Sequence, residues 1–488
     1  MQIAVAILSA LCLTVASAEC FRVLQQASYR PQRGYFKIYV TLYYLALLTV
    51  QIASTLLYVY VDCYSYVNLA MFVLLAVAVC VTKRKCPLKL TKRVWRMFAV
   101  ETAVLVTLCV LVESCFFVWL LPITVLLAWV ICLPIDVAIA RHYLKRACDK
   151  LSKSGVSVVA VTGSYGKTSV KDILSVLLVD SLSPAGSCNT PLGIAAYINK
   201  TDLTGAKYLI LEFGARRQGD IAELCKLFKP QYGIVTGVCA QHLSTFKNLD
   251  NVIATKRELV EHIPQDGICV LNSADEIVAG FMGVGTCTKY LSNDGLQIDV
   301  KSVDLHGTHL EVLYRKRKKE VTLPQISSYV KDTFAMCLQM ALRLNQRYPV
   351  TLKRTSQIRQ TRHRMELIQG ANCHILDDSY NGSIVGVTSC AKTLENFAAT
   401  KVVITQGLVE CGKERKSMNV QCGKILGSVC NVAVVLGRNA KYLAEGLQQT
   451  ECKVLYATNL KQAVSVATQH VNGGILLFQN DLPDTVNI

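Results

Sequence analysis

No Cys-x-x-Cys pair occurs among the 21 cysteines of this 488-residue chain. That absence excludes a zinc ribbon, and no structural zinc is expected. Acidic residues are scarce: 34 Asp and Glu face 52 Lys and Arg, a formal net charge of +18. The basic excess does not read as a nucleic-acid site, because zinc-finger spacing and a basic stripe with interleaved aromatics are both missing. It fits juxtamembrane clusters facing anionic lipid. Internal repeats and low-complexity segments are also lacking, which leaves solenoids and disordered tails aside.

Apolar residues are abundant, at 52% of the chain, and are concentrated before residue 135. Five runs there approach bilayer length: Ile3–Ala18, Ile38–Val61, Val67–Val81, Met97–Val112 and Cys115–Ile131. The fourth carries Glu101. Residues 1–18 could instead be a cleaved signal, since Ala16-Ser17-Ala18 resembles a cleavage site, but a basic start is lacking. Basic residues alternate from loop to loop. Arg22, Arg30, Arg33 and Lys37 precede the second run, Lys83-Arg84-Lys85 follows the third, and the short loops between carry none. The positive-inside rule then places the N-terminus outside and everything after about residue 135 in the cytoplasm of an integral membrane protein. Residues 136–151 read as a basic amphipathic linker helix.

From residue 152 onward, β-branched runs alternate with helical periods, which implies α/β architecture with parallel sheets. The runs are Val158–Val161, Tyr208–Leu211, Gly233–Thr236, Cys269–Leu271, Ile375–Asp377, Val402–Thr405, Val432–Leu436 and Ile475–Phe478. A helix is expected over Ser328–Asn345, and a domain boundary near 350, giving a central domain over 152–350 and a C-terminal one over 351–488.

The segment Thr162-Gly163-Ser164-Tyr165-Gly166-Lys167-Thr168-Ser169 follows the first of these strands and opens a helix. Its glycines let backbone N–H groups approach a polyphosphate, Lys167 can reach terminal phosphates, and the Thr168 hydroxyl can hold Mg²⁺. The longer P-loop pattern would place Gly at 161, where this chain has Val161. Other polar residues lie just past expected strand ends, where open α/β sheets bind ligands. They are Glu212, His242, Asn272 and the pair Asp377-Asp378, with Lys256 on a following helix. Singly, each reads as a cap or a solvated side chain. In order behind a phosphate loop, they read as a site.

This ordered set resembles the Mur ligases, the ATP-dependent amide-forming enzymes of bacterial cell-wall synthesis. The resemblance covers about 152–488. It rests on 162–169, Asn189-Thr190-Pro191-Leu192-Gly193, Glu212–Asp220, His242, Ile253–Glu258, Leu271-Asn272, Arg364–Leu367, Asp377-Asp378-Ser379-Tyr380-Asn381 and Glu410-Cys411-Gly412. The 377–381 segment is most similar to the branch that adds D-alanyl-D-alanine to a muramoyl tripeptide. The resemblance implies a P-loop central domain and a Rossmann-like C-terminal domain. It also implies ATP and Mg²⁺, an acyl-phosphate intermediate and a nucleotide- or lipid-linked precursor joined to an amino acid or dipeptide. Gly163, Ser164, Gly166, Lys167, Thr168 and Ser169 would cradle phosphates, and Asn272, Arg364 and Asp378 would complete the ATP site. Thr168, Glu212 and His242 would hold metal, and Lys167, His242 and a carbamylated Lys256 would serve catalysis. Asn189, Asp378, Tyr380 and Asn381 would meet substrate.

The chain departs from the family at Gly382-Ser383-Ile384, where Ala-Asn-Pro is usual, and at His363, where many members have Gly. It also lacks the usual His and Asn in Gln325–Asp332. Membrane segments stand where a soluble UDP-gripping domain is expected, which suggests a lipid-linked acceptor or a UDP-sugar held by other means. Other readings are a related ligase acting on another lipid-linked carboxylate, and a catalytically dead membrane scaffold.

Overall fold

The computed structural model describes residues 2–26, 29, 64–81, 87–111, 121–241, 243–380, 382–409 and 411–480. They fall into two units, one running to His142 and one starting at Tyr143.

The first unit is helical, with helices Gln2–Gln26, Tyr64–Val81, Lys92–Leu111 and the start of Leu121–Ser154. Among the described residues, two helices, Ala4–Gln26 and Leu121–Ser154, are long and apolar enough to cross a membrane by length and composition alone. Five spans were expected. The run Ile38–Val61 and residues 115–120 lie outside the described residues. The fourth run forms a helix that begins with Lys92, Arg93 and Arg96 and so is less apolar than its central stretch suggests. Glu101 on that helix is fully buried and accepts hydrogen bonds from Ser17 (2.6 Å) and Thr124 (3.2 Å) on two other helices. A carboxylate among apolar helices survives by such pairing. Asp136 is held by Arg93 (2.6 Å) and by Arg96. The expected linker helix over 136–151 is not a separate element. It continues the apolar helix from Leu121 to Ser154, through Pro134.

The second unit contains three sheets. The first has β1 (Ser157–Thr162), β2 (Ser181–Leu182), β3 (Tyr208–Glu212), β4 (Tyr232–Val235), β5 (Ile268–Leu271) and β6 (Thr288–Leu291), all parallel, in the order β2-β3-β1-β4-β5-β6. β1 is buried on both faces. Val158 and Ala160 join one core with Leu209 and Leu211, while Val159 and Val161 join another with Ile210 and Ile173. This explains its unbroken β-branched run. The chain goes from β3 on one side of β1 to β4 on the other, so the carboxyl ends of these strands flank a switch point, the usual ligand crevice of such sheets.

The second sheet comprises β10 (Glu366–Gln369), β11 (His374–Asp378), β12 (Lys401–Gly407), β13 (Val432–Leu436), β14 (Lys453–Ala457) and β15 (Ile475–Asn480). It is ordered β10-β11-β15-β12-β13-β14, parallel except for the antiparallel β10–β11 pair. The expectation of parallel sheets alone is corrected by that pair and by a third sheet of antiparallel β7 (Leu296–Asp304), β8 (Gly307–Tyr314) and β9 (Arg317–Leu323). Leu296, Leu310, Val312, Val321 and Leu323 turn inward onto the helix Val330–Arg343. The core that they share also takes in Tyr348 and Ile358. Twelve of the described cysteines are buried, and no disulfide occurs among the described residues.

Candidate active site

The loop after β1 is shaped by its glycines. Gly163 has φ 147°, and a Cβ there would lie 2.0 Å from the Thr236 hydroxyl and 3.1 Å from the Gly237 backbone. Gly166 has φ 75° and caps the helix Lys167–Leu177 without any side-chain bond to its first turn. The first N–H groups of that helix are thus left for a ligand, and an anion suits them. The loop is pinned from the β4 side: Ser164 N–H donates to Gly237 O (2.7 Å), and Cys239 N–H to Ser164 Oγ (3.2 Å). Thr236 Oγ1 donates to Tyr165 O. Tyr165 OH donates to Asp275 Oδ2 (2.9 Å), which also accepts from Val238 N–H (2.8 Å). Alanine at Gly163 would break this close approach. We expect Gly163→Ala to cost about 1–3 kcal/mol through overpacking and to weaken ADP binding, read by thermal unfolding and titration calorimetry.

Cations crowd one carboxylate at the mouth of this loop. Glu212, ending β3, is 1% exposed. Its Oε2 accepts from the Thr168 hydroxyl (3.2 Å), while Oε1 has no hydrogen-bond partner and lies 3.5 Å from Lys171 Nζ. Burial raises the Glu212 carboxyl above its ordinary value, against the pull of Lys171 and Lys167. Lys167 folds back onto the loop, donating to Gly163 O (2.7 Å) and Ser164 O (3.3 Å). Burial lowers its pKa to about 8. Lys256, on the helix Leu249–His262, is 3% exposed, and burial with the nearby Lys167 charge lowers its pKa to about 7. Lys167 and Lys171 thus share one buried carboxylate, and Lys256 adds its charge beside Lys167. Such an excess of positive charge suits a polyphosphate, and the unpartnered Glu212 oxygen beside Thr168 suits a divalent cation. The residues present fit ATP with Mg²⁺.

Asn189 packs over Gly214, where a Cβ would lie 2.8 Å from its side chain, and so sits just beyond Glu212. Asn272 follows β5 with its amide already used: it donates to Thr236 O (2.7 Å) and accepts from Ala274 N–H (3.1 Å). It lines a cavity of about 180 Å³ together with Gly166, Ser169, Arg364 and Asp378. The Arg364 guanidinium lies 4.9 Å from the centre of the Tyr380 ring. Burial raises the Asp378 carboxyl, and Arg364 partly offsets this. The structure therefore gathers Gly163, Ser164, Gly166, Lys167, Thr168 and Glu212 at one loop. Ser169, Asn272, Arg364 and Asp378 gather at the adjoining cavity. His242 and Asn381 lie outside the described residues.

Sequence reasoning missed Lys171. It is 1% exposed and donates to Pro184 O and Gly186 O (2.7 Å each), tying the 184–190 loop to Glu212. Its signal was its spacing: four residues after Lys167, it shares that helix face. It also missed Asp275, the hub that holds Tyr165.

Sheet order, phosphate loop and the cationic pocket around Glu212 define a P-loop α/β nucleotide-binding protein. Residues 161–330 match the Mur ligase middle domain and residues 363–479 the Mur ligase C-terminal, glutamate ligase domain. The chain belongs to the Mur ligase family. It is 27% identical over 278 residues to the UDP-N-acetylmuramoyl-tripeptide–D-alanyl-D-alanine ligase of Escherichia coli, a match spanning 55% of this chain and 61% of that enzyme. Among solved structures, MurF from Acinetobacter baumannii superposes with a TM-score of 0.64 at 20% identity, covering 71% of this chain and 78% of the other. MurF ligase from Thermotoga maritima in complex with ADP does so with 0.61 at 22% identity, covering 70% and 80%. These two likenesses establish the fold.

Proposed function

We propose that this protein is an ATP-dependent ligase that joins D-alanyl-D-alanine, or a similar amine, to the carboxylate of a muramoyl peptide in peptidoglycan precursor synthesis. The observation that carries this reading is the phosphate loop with Lys167 and Lys171 about Glu212 and Thr168, and Lys256 buried near Lys167. Bound ATP would supply the phosphoryl group that activates the carboxylate, with Mg²⁺ offsetting its charge. The N–H groups at the start of the helix Lys167–Leu177 would bind phosphate, and Lys167 would swing from its loop carbonyls to meet it. Glu212 and Thr168 would hold metal, joined by His242. Arg364 and Asp378, on the C-terminal side of the cavity, would cover the nucleotide and exclude water.

Burial of Lys256 favours a carbamate on its amine. Only the neutral amine reacts with CO₂. A pKa near 7 raises the neutral fraction at pH 7 by roughly 10³-fold over an ordinary lysine. The product would be an anion able to orient a cation.

The helices before residue 143 favour an anchored enzyme, with its ligase domains on the cytoplasmic side of the cell membrane and a lipid-linked acceptor. The first test is phosphate release from ATP by the purified protein, given D-alanyl-D-alanine with either UDP-muramoyl tripeptide or a lipid-linked tripeptide. Release that requires both acceptor and dipeptide is expected. Release with the nucleotide-linked acceptor alone would overturn the lipid-linked version. Silence with both would overturn the substrate assignment.

A further inference from the structure

A second cluster of donor side chains lies at the antiparallel β10–β11 pair. Glu366 and Asp377 stand directly opposite each other in the register of these strands. Two carboxylates so placed repel each other. His363 completes the group from the turn before β10. Its Nδ1 lies 2.7 Å from Asp377 Oδ2, and its backbone N–H donates to Glu366 Oε2 (3.0 Å). One donor atom from each of the three side chains falls within 4.8 Å of the other two. The histidine occupies a position with φ 57°, a left-handed turn that glycine meets with least strain. Asp378, the next residue on β11, points to the opposite face of the strand, so the cluster and the nucleotide cavity are served by alternate residues.

We propose that His363, Glu366 and Asp377 form a binding site for one divalent metal of the zinc class. An imidazole nitrogen with two carboxylate oxygens is a donor set that zinc, cobalt and nickel accept, with water completing the shell. Metal–donor bonds of about 2.0–2.2 Å hold donors about 3–4 Å apart. The site forms when the His363–Asp377 hydrogen bond opens and Glu366 turns inward. Cysteine spacing says nothing about such a nitrogen–oxygen set. Mg²⁺ prefers an octahedron of oxygens and retains its water, so it does not displace the bound ion. Occupancy would fix the turn between His363 and Glu366, and with it Arg364, whose guanidinium stacks on Tyr380. The site itself does not depend on the ligase reading.

The test is thermal unfolding of the full chain, stripped with EDTA and returned to millimolar Mg²⁺, with and without Zn²⁺. Zinc retained after desalting is measured in parallel. At a concentration about 100 times the dissociation constant, Zn²⁺ should raise Tm by roughly 5 °C, with one ion retained per chain. His363→Gly suits the turn and keeps every cysteine. It should abolish both the shift and the retained ion, and Asp377→Asn should do the same. No zinc-dependent shift in the unaltered protein would overturn the proposal. So would an equal shift and equal retention in His363→Gly, since thiols elsewhere would then hold the metal.

Discussion

Lys256→Ala lowers acceptor-dependent phosphate release roughly 10²–10³-fold, the range seen when one preorganised electrostatic group is lost. The side chain has no surface role to lose, being 3% exposed on a helix that packs against the first sheet. Its pKa of about 7 also predicts a pH signature. The neutral amine rises about ten-fold in fraction between pH 6 and pH 8. Activity limited by the carbamate therefore climbs through pH 7, and added bicarbonate restores it most at pH 6. Lys256→Ala shows neither response. The stability sign follows from the same value. The folded pKa lies below that of an unfolded lysine, so the unfolded chain binds more protons between about pH 7 and 10.5. Stability of the uncarbamylated protein rises with pH across that window, and Lys256→Ala flattens the rise. Bicarbonate-independent activity with an unchanged pH profile would remove the carbamate from the mechanism.

Lys171→Met destabilises the second unit by about 3–5 kcal/mol, the cost of removing one partner from a buried charge pair. Two effects combine. Pro184 O and Gly186 O lose the donor that each meets at 2.7 Å. Glu212, 1% exposed, loses the cation 3.5 Å from its unpartnered oxygen. Methionine keeps the volume, so the loss is electrostatic rather than a cavity. Denaturant unfolding reads it. Lys171→Met combined with Glu212→Gln should cost less than the sum of the single changes, because the pair shares one interaction. Additive losses would mean that Lys171 acts through the 184–190 loop and Asp172, 3.1 Å away, rather than through Glu212.

Much of the second unit was legible because fully buried parallel strands leave unbroken β-branched runs. Val432–Leu436 was read with its observed bounds, and β1, β3 and β5 within one residue at either end. The third sheet was not read. β7 alternates Leu296, Ile298 and Val300 with Gln297, Asp299 and Lys301, and β9 is mostly exposed lysine, arginine and glutamate. An amphipathic edge of this kind is weaker than a buried run, although its period of two was present. At the site, the glycines and Lys167 were legible because the loop's backbone geometry demands them. Lys171 and Asp275 act through contacts to carbonyls and amides distant in the chain, which spacing alone does not reveal. In the first unit, Glu101 looked like an interruption. The partners that make it tolerable, Ser17 and Thr124, come from other helices.

The distribution of thiols gives the molecule an internal clock. Cys390, Cys422 and Cys430 lie inside the C-terminal core, and burial raises the pKa of each. Cys239 borders the phosphate loop and a wide cleft of about 970 Å³, and burial moves its pKa to about 11. A thiol reacts with an alkylating reagent only as the thiolate and only once reached. Alkylation resolved by mass would therefore record the order in which regions open, with the nucleotide loop reporting before the core does.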